Sequence, residues 1–266
     1  MKAALLRGRD HFAIGEIGEL AAGPIAAALS RGGAAKSYPH TDPNEDAALG
    51  ARGAHGLLVA VADGHWGHRA SELALEHLLA GYAEAWTDGR PRRQESWHQE
   101  ILAALVGANQ AVLDAQGPEQ RSRTTLALAL ARPADDLLAC ASIGDSHIFV
   151  SPGDAPIEIA AAARRAFFLG QKRLSASRLE REARAEVRRL GDCRALVLAT
   201  DGLTERAIGV ADPRTAVRDA LARGRRAAAD ARAGVAARAL VQAALDAQRA
   251  QGAGDNVAVA IAWLQS

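Results

Sequence analysis

Residues 57–68 read LLVAVADGHWGH, an unbroken apolar run that stops at Asp63-Gly64-His65. A short apolar run bounded by a turn signal predicts a buried strand. Asp-Gly supplies the turn, because Asp bonds its own backbone and Gly accepts positive φ. Upstream, DAALGARGAHG adds a second apolar run and a glycine-containing loop, so residues 46–63 predict a β-hairpin. With the loop running from Arg52 to Gly56, Ala51 pairs with Leu57 and Asp46 falls opposite or next to Asp63. Such cross-strand neighbours have Cα atoms about 4.5–5.5 Å apart, so Glu45-Asp46 comes beside Asp63.

From Gly67 the period changes. Ala70, Leu73, Ala74, His77, Leu78, Tyr82 and Ala85 recur at helical spacing, and Trp97, Ile101, Leu105, Ala108 and Val112 predict a second helix. SRTTLALALAR, DLLACASIG, SHIFVS, CRALVLATDG and GDNVAVAIAWLQ read as strands, and residues 229–250 as a long helix. HFAIGEIGEL predicts a strand, GPIAAALS a short helical turn, and the very polar RLSASRLEREARAEVRRL a mobile helical insert. Strands and helices come in blocks, which argues against a doubly wound parallel sheet.

Composition narrows the class. The chain has 266 residues, 49% hydrophobic and 24% charged, the proportions of a globular domain with a sizeable core. A net charge of +1 gives no field to attract nucleic acid or an anionic membrane, so neither is expected as a partner. Arg164-Arg165, Arg188-Arg189 and Arg225-Arg226 are expected on solvated helix faces. Cys140 and Cys193 lie in apolar runs without Cys-x-x-Cys spacing; they are expected as core thiols of a reducing compartment. Arg7, Arg9 and Asp10 interrupt any signal-peptide core, and a cytoplasmic location is expected.

The chemistry lies in the acids. Asp46 starts one predicted strand, Asp63 ends another, Asp201 ends a third and Asp255 starts a fourth. If strands 194–200 and 257–264 are antiparallel neighbours, Asp201 and Asp255 meet at one end of their sheet. Carboxylates so gathered repel unless protons or cations intervene. Oxygen-only clusters suit hard ions such as Mg²⁺ and Mn²⁺, and two such ions can share and deprotonate a water.

PNEDAAL, LLVAVADGHWGH, RTTLALAL, ACASIGDSHIFV, LVLATDGLTE and GDNVAVAIAWL, taken in this order across residues 44–264, resemble the metal-dependent protein serine/threonine phosphatases of the type 2C or PPM family, in the bacterial form with one catalytic domain. The resemblance implies an α+β fold, a four-layer α-β-β-α sandwich of two antiparallel sheets flanked by helices. Residues 1–266 would form that domain, with 1–36 a divergent extension and roughly 152–192 a flap-like insert. It implies hydrolysis of phosphoserine and phosphothreonine in proteins by a metal-bound hydroxide, with two or three Mn²⁺ or Mg²⁺ ions. Asp63 would bridge two metals, Glu45 and the Gly64 carbonyl would serve one, and Asp201 and Asp255 the other. Asp46 would orient water, and Asp145 and Glu205 would join Asp201 at a third metal. His65 sits where the family has a candidate general acid. The substrate would be a phosphoprotein made by a serine/threonine kinase, in signal transduction.

The family's phosphate-binding arginine, five positions before Asp46, is Thr41 here, which cannot form a charged bidentate fork. Lys36, His40 and Arg123 join Thr41 as substitutes. The loss leaves two other readings: a catalytically weak regulatory binding protein on this fold, or a phosphatase of a small phosphomonoester. Trp66, where the family often has glycine, could wall the cleft or cover the adjacent helix, with the packing role the one expected; Asn256 is expected to orient the last strand or cap its loop and not to bind metal.

Overall fold

The structure, a computed structural model, describes residues 1–36, 40–90, 93–117, 121–153, 155–160, 167–171 and 176–264. The chain opens with β1 (Lys2–Arg7), β2 (Gly18–Ala22), β3 (Ile25–Ser30), β4 (Ala47–Arg52), β5 (Leu57–Ala62) and the short β6 (Gly64–His65). Helix α1 (Arg69–Leu78) runs through one π-helical turn, Leu79–Ala83, into α2 (Glu84–Thr87), and α3 (Gln94–Asp114) follows. Next come β7 (Arg123–Thr124), β8 (Leu126–Arg132), β9 (Leu137–Ile143), β10 (His147–Ser151), β11 (Ile157–Ala160), α4 (Ala176–Glu182), β12 (Arg184–Arg189) and β13 (Ala195–Ala199). Helices α5 (Pro213–Arg225) and α6 (Arg232–Gln251) precede the last strand, β14 (Val257–Trp263).

Two six-stranded sheets result, ordered β1-β4-β5-β8-β9-β12 and β11-β10-β13-β14-β3-β2, with antiparallel pairing throughout. Side chains along a strand alternate faces, and here both faces are buried. Leu57, Val59 and Val61 meet the second sheet, while Leu58, Ala60 and Ala62 meet α1 and α3. In β13, Leu196 and Leu198 face the first sheet, and Ala195, Val197 and Ala199 face α5 and α6. Three apolar layers therefore lie between four layers of structure, the expected α-β-β-α sandwich. This double burial is why the strands read as unbroken apolar runs.

The structure departs from the local expectations at five points. Residues 25–30 form β3, a strand in the sandwich interior, and not a helical turn; burial on both faces overrides alanine's helix propensity. With β1 in the first sheet and β2–β3 in the second, residues 2–30 are part of the sandwich. The polar stretch 173–190 holds α4 and then β12, an edge strand; residues 173–175 lie outside the described residues. Its exposed arginines suit an edge, where charge discourages further pairing. The hairpin pairs Arg52 with Leu57, one residue from the expected register, because the loop is Gly53–Gly56. Helix α5 lies where the pattern predicts none; Asp212 caps it, accepting from the Thr215 N–H at 3.1 Å, with Pro213 in the first turn.

No helix among the described residues is long and apolar enough to cross a membrane. Cys140 and Cys193 are buried free thiols, and burial pushes the Cys140 thiol up to about 12.

Candidate metal centre

The pairing of Ala47 with Ala62 extends to set Asp46 directly opposite Asp63. In the other sheet β13 and β14 are antiparallel neighbours, so Asp201 after one and Asp255 before the other share an end. The two sheets bring these ends together. Carboxylate oxygens of Asp63, Asp145 and Asp201 lie within 4.8 Å of one another, as do those of Asp201, Glu205 and Asp255. Asp201 belongs to both groups. Among the described residues, Glu45 and Asp46 fall outside them.

The crowding is visible in the acidities. Burial first, and then the charges of Asp201, Asp46 and Asp255, hold the Asp63 carboxyl well above the usual range. Burial, then Asp255 and Asp145, do the same to Asp201. Asp46 is raised to about 7 by burial and by Asp255, against Lys36 and the Thr200 hydroxyl, which pull it down. Glu205 rises by burial and by Asp255. Asp46 Oδ2 accepts from Thr200 Oγ1 at 2.8 Å, but the buried Oδ1 has no hydrogen-bond donor among the described residues. Crowded acids whose pKa values are raised by burial and by one another, all oxygen and no sulfur, fit a hard divalent cation.

The frame around the acids is polar and fixed. The Asp63 N–H donates to Thr125 Oγ1 at 3.0 Å, and its carbonyl accepts from Thr124 Oγ1 at 2.8 Å. Glu45 Oε1 accepts backbone N–H groups of Thr41, Asp42 and Gly67 at 3.0, 3.0 and 2.7 Å. Oε2 takes none of these backbone donors and lies 3.8 Å from Lys36 Nζ. A Cβ on Gly64 would lie 2.3 Å from the Glu45 carbonyl oxygen, so only glycine allows this approach. Asn256 accepts the Glu45 N–H at 2.9 Å and donates to the Arg31 and Pro43 carbonyls, in line with the orienting role expected of it. Gln248 of α6 donates to the Gly202 and Asp255 carbonyls, each at 3.1 Å. Thr200, Thr125 and Gln248 carried no sequence signal, since such residues are common in strands and helices without a role.

The phosphate candidates separate. Lys36 is nearly buried, its Nζ 3.5 Å from Asp255 Oδ1 and 3.8 Å from Glu45 Oε2. His40 and Thr41 expose their side chains, and Thr41 contributes its N–H to Glu45. Arg123 pairs across the β6–β7 ladder with His65 and stacks its guanidinium 4.8 Å from the centroid of the Phe168 ring. His65 packs on the same ring: Nδ1 is 3.6 Å from Asp63 Oδ1 and its ring is 4.5 Å from Phe168. Burial lowers its pKa, opposed by Asp145 and aided by Arg123. Trp66 differs from expectation: it is 55% exposed, and its φ of +64° is the left-handed conformation that suits glycine.

The sequence profile of the family described as Protein phosphatase 2C matches residues 36–249. The chain belongs to that family, and its enzyme class is that of the metal-dependent serine/threonine protein phosphatases. Among solved structures it is similar to the PPM Ser-Thr phosphatase MsPP from Mycobacterium smegmatis, in complex with cacodylate, at 27% identity and TM-score 0.61 over 91% of this chain and 98% of that one. The serine/threonine phosphatase PstP of Mycobacterium tuberculosis aligns at 22% identity and TM-score 0.64, over 91% and 98%. A PstP catalytic domain in complex with two manganese ions aligns at 20% identity and TM-score 0.64, over 94% and 100%. These last two likenesses concern the fold. Among curated proteins none matches this chain in sequence.

Proposed function

We propose that the chain hydrolyses phosphoserine and phosphothreonine in proteins, with Mn²⁺ or Mg²⁺ held by its carboxylate cluster. The observation that carries the reading is the pair of overlapping acid groups sharing Asp201, with Asp46 raised to about 7 beside them. Asp63, Asp201 and Asp255 would hold two ions, with Glu45 Oε2 and the Gly64 carbonyl at the first, and Asp145 and Glu205 at a third. Bound cations would supply an activated water and neutralise phosphoryl oxygens. The binding of manganese by PstP supports the choice of ion.

The remaining work falls to this chain's residues. Asp46, its Oδ2 held by Thr200 and its buried Oδ1 without a described donor, can accept a proton from water at the cluster. Lys36 brings a nearly buried ammonium to the cluster, where it can meet a substrate phosphoryl oxygen in place of the absent arginine. As a point charge it orients less strictly than a guanidinium fork. Burial lowers the His65 pKa; a phosphoryl dianion beside it favours its protonated form, which can donate to the departing seryl or threonyl oxygen. Residues 1–264 act as one catalytic unit in this reading, β1–β3 included, and the substrate is the product of a serine/threonine kinase in the cytoplasm.

The test is hydrolysis of a phosphothreonine peptide and of p-nitrophenyl phosphate, with and without Mn²⁺, by the wild type and Asp63→Ala. Metal-dependent turnover of the peptide, lost in the variant, is expected. Turnover of the small ester alone would point to a small phosphomonoester as substrate. A folded, metal-binding chain that hydrolyses neither would be a regulatory binding protein.

A further inference from the structure

Beyond His65 the site continues into a cleft. The β6–β7 ladder lays His65 beside Arg123, and Phe168 contacts both. Past this stack opens a cleft of about 580 Å³ lined by Trp66, Gln116, Arg121, Arg123, Gly170 and Gln171. Two guanidinium groups and an indole face it, and no carboxylate does among the described residues. The Arg123 Nε is buried without a hydrogen-bond partner, and neither arginine has an ion pair with a described residue. Trp66 exposes 55% of its surface here while holding φ at +64°. A bulky side chain kept in the left-handed region, next to a reactive centre, is the kind of strain that points to a role.

We propose that this cleft is a specificity subsite that takes an acidic side chain, aspartate or glutamate, flanking the phosphorylated residue of the substrate. The proposal rests on the phosphatase reading above. Arg121 and Arg123 would hold the carboxylate by charge-assisted hydrogen bonds, and the Trp66 ring would form an apolar wall along the peptide. The His65 ring and the Arg123 guanidinium lie 4.5 Å and 4.8 Å from the Phe168 centroid, so they are at most about 9 Å apart, the reach of about three extended residues. The recognised acid therefore lies within three positions of the phosphoresidue.

The test uses two phosphothreonine peptides that differ only in carrying Asp or Asn at the flanking positions. The wild type should favour the acidic peptide by about tenfold in kcat/KM, the worth of one charge-assisted hydrogen bond. Arg121→Glu should abolish or invert that ratio; Arg121 is exposed, and its unfolding midpoint checks that the variant is folded. No preference in the wild type, or the same preference in the variant, overturns the proposal. Tryptophan fluorescence gives a readout apart from turnover, since Trp86, Trp97 and Trp263 are buried and Trp66 is not. A chain that binds the acidic peptide more tightly, loses this in Arg121→Glu, yet hydrolyses neither peptide would retain the subsite and lose the phosphatase reading. Hydrolysis of both peptides at equal rates would do the reverse.

Discussion

Trp66 holds a φ of +64° directly after His65 and before Gly67, itself at +113°. For a residue with a Cβ, the left-handed conformation costs about 1–2 kcal/mol. Trp66 recovers little of this by packing, since more than half of it faces solvent. Trp66→Gly is therefore expected to fold at least as stably as the wild type, with a gain of up to about 1 kcal/mol in denaturant unfolding. The same change at fully buried Trp86 should cost at least about 3–5 kcal/mol. If Trp66→Gly lost stability on the scale of Trp86→Gly, the ring would be a packing element and its place in the cleft would need another reason. Nothing about its identity marked this conformation: a Trp after Asp-Gly-His reads as apolar cover, and only the family's glycine at the same position hinted at positive φ.

At the level of elements, the edge pair β10–β11 braces the turn that carries Asp201. The His147 ring is 2.5 Å from Glu158 Oε1 through Nδ1 and 2.6 Å from Thr204 Oγ1 through Nε2. Since the carboxylate can only accept, Nδ1–H donates to it, and Nε2 shares a hydrogen bond with the Thr204 hydroxyl. Thr204 lies between Asp201 and Glu205 on the turn, so the brace fixes both acids at once. His147→Ala should weaken Mn²⁺ binding about tenfold or more, as loss of an outer support does in metal sites, read by calorimetric titration. An unaltered affinity would mean the turn is held by its own backbone bonds. Sequence reasoning gave His147 no role because its partner on β11 is eleven residues away and Thr204 further still. The same limit explains the other misses. β3 reads as helix because alanine shows no alternation when both faces are buried, and β12 reads as helix because Ala185 and Val187 are its only apolar residues. The central strands were legible, since a run such as Leu57–Ala62 has no other comfortable place than the middle of a sandwich. The acids were legible for a related reason: each interrupts or flanks such a run where no core could hold it uncompensated.

For the whole molecule, the cluster joins two sheets that enclose an apolar layer. Asp46 and Asp63 come from one sheet, Asp201 and Asp255 from the other. Without cations, folding forces these acids together, and the sign of the consequence can be worked out. Unfolded, they titrate near about 4. Folded, Asp46 is raised to about 7, and Asp63, Asp201 and Glu205 are raised too, in each case by burial first. Above pH 4 the folded chain therefore holds more protons than the unfolded one, and stability falls as pH rises. The contribution of Asp46 to this decline ends once pH has passed its folded value of about 7. Cations take over from protons, so the decline should vanish when the site is loaded. At a Mn²⁺ concentration a hundred times Kd, stability should rise by about 2.7 kcal/mol. The check is a set of thermal midpoints from pH 5 to pH 8, in EDTA and in Mn²⁺, for the wild type and Asp63→Asn. The EDTA midpoint should fall across that range, the Mn²⁺ midpoint should stay level, and the gap between them should widen with pH. In Asp63→Asn the fall should shrink, because one of the mutually repelling charges is gone, and the gap should close. A midpoint in EDTA that climbs from pH 5 to pH 8 would mean that the acids find compensation inside the protein, with Lys36 the nearest source, and that the chain's two sheets need no metal to meet.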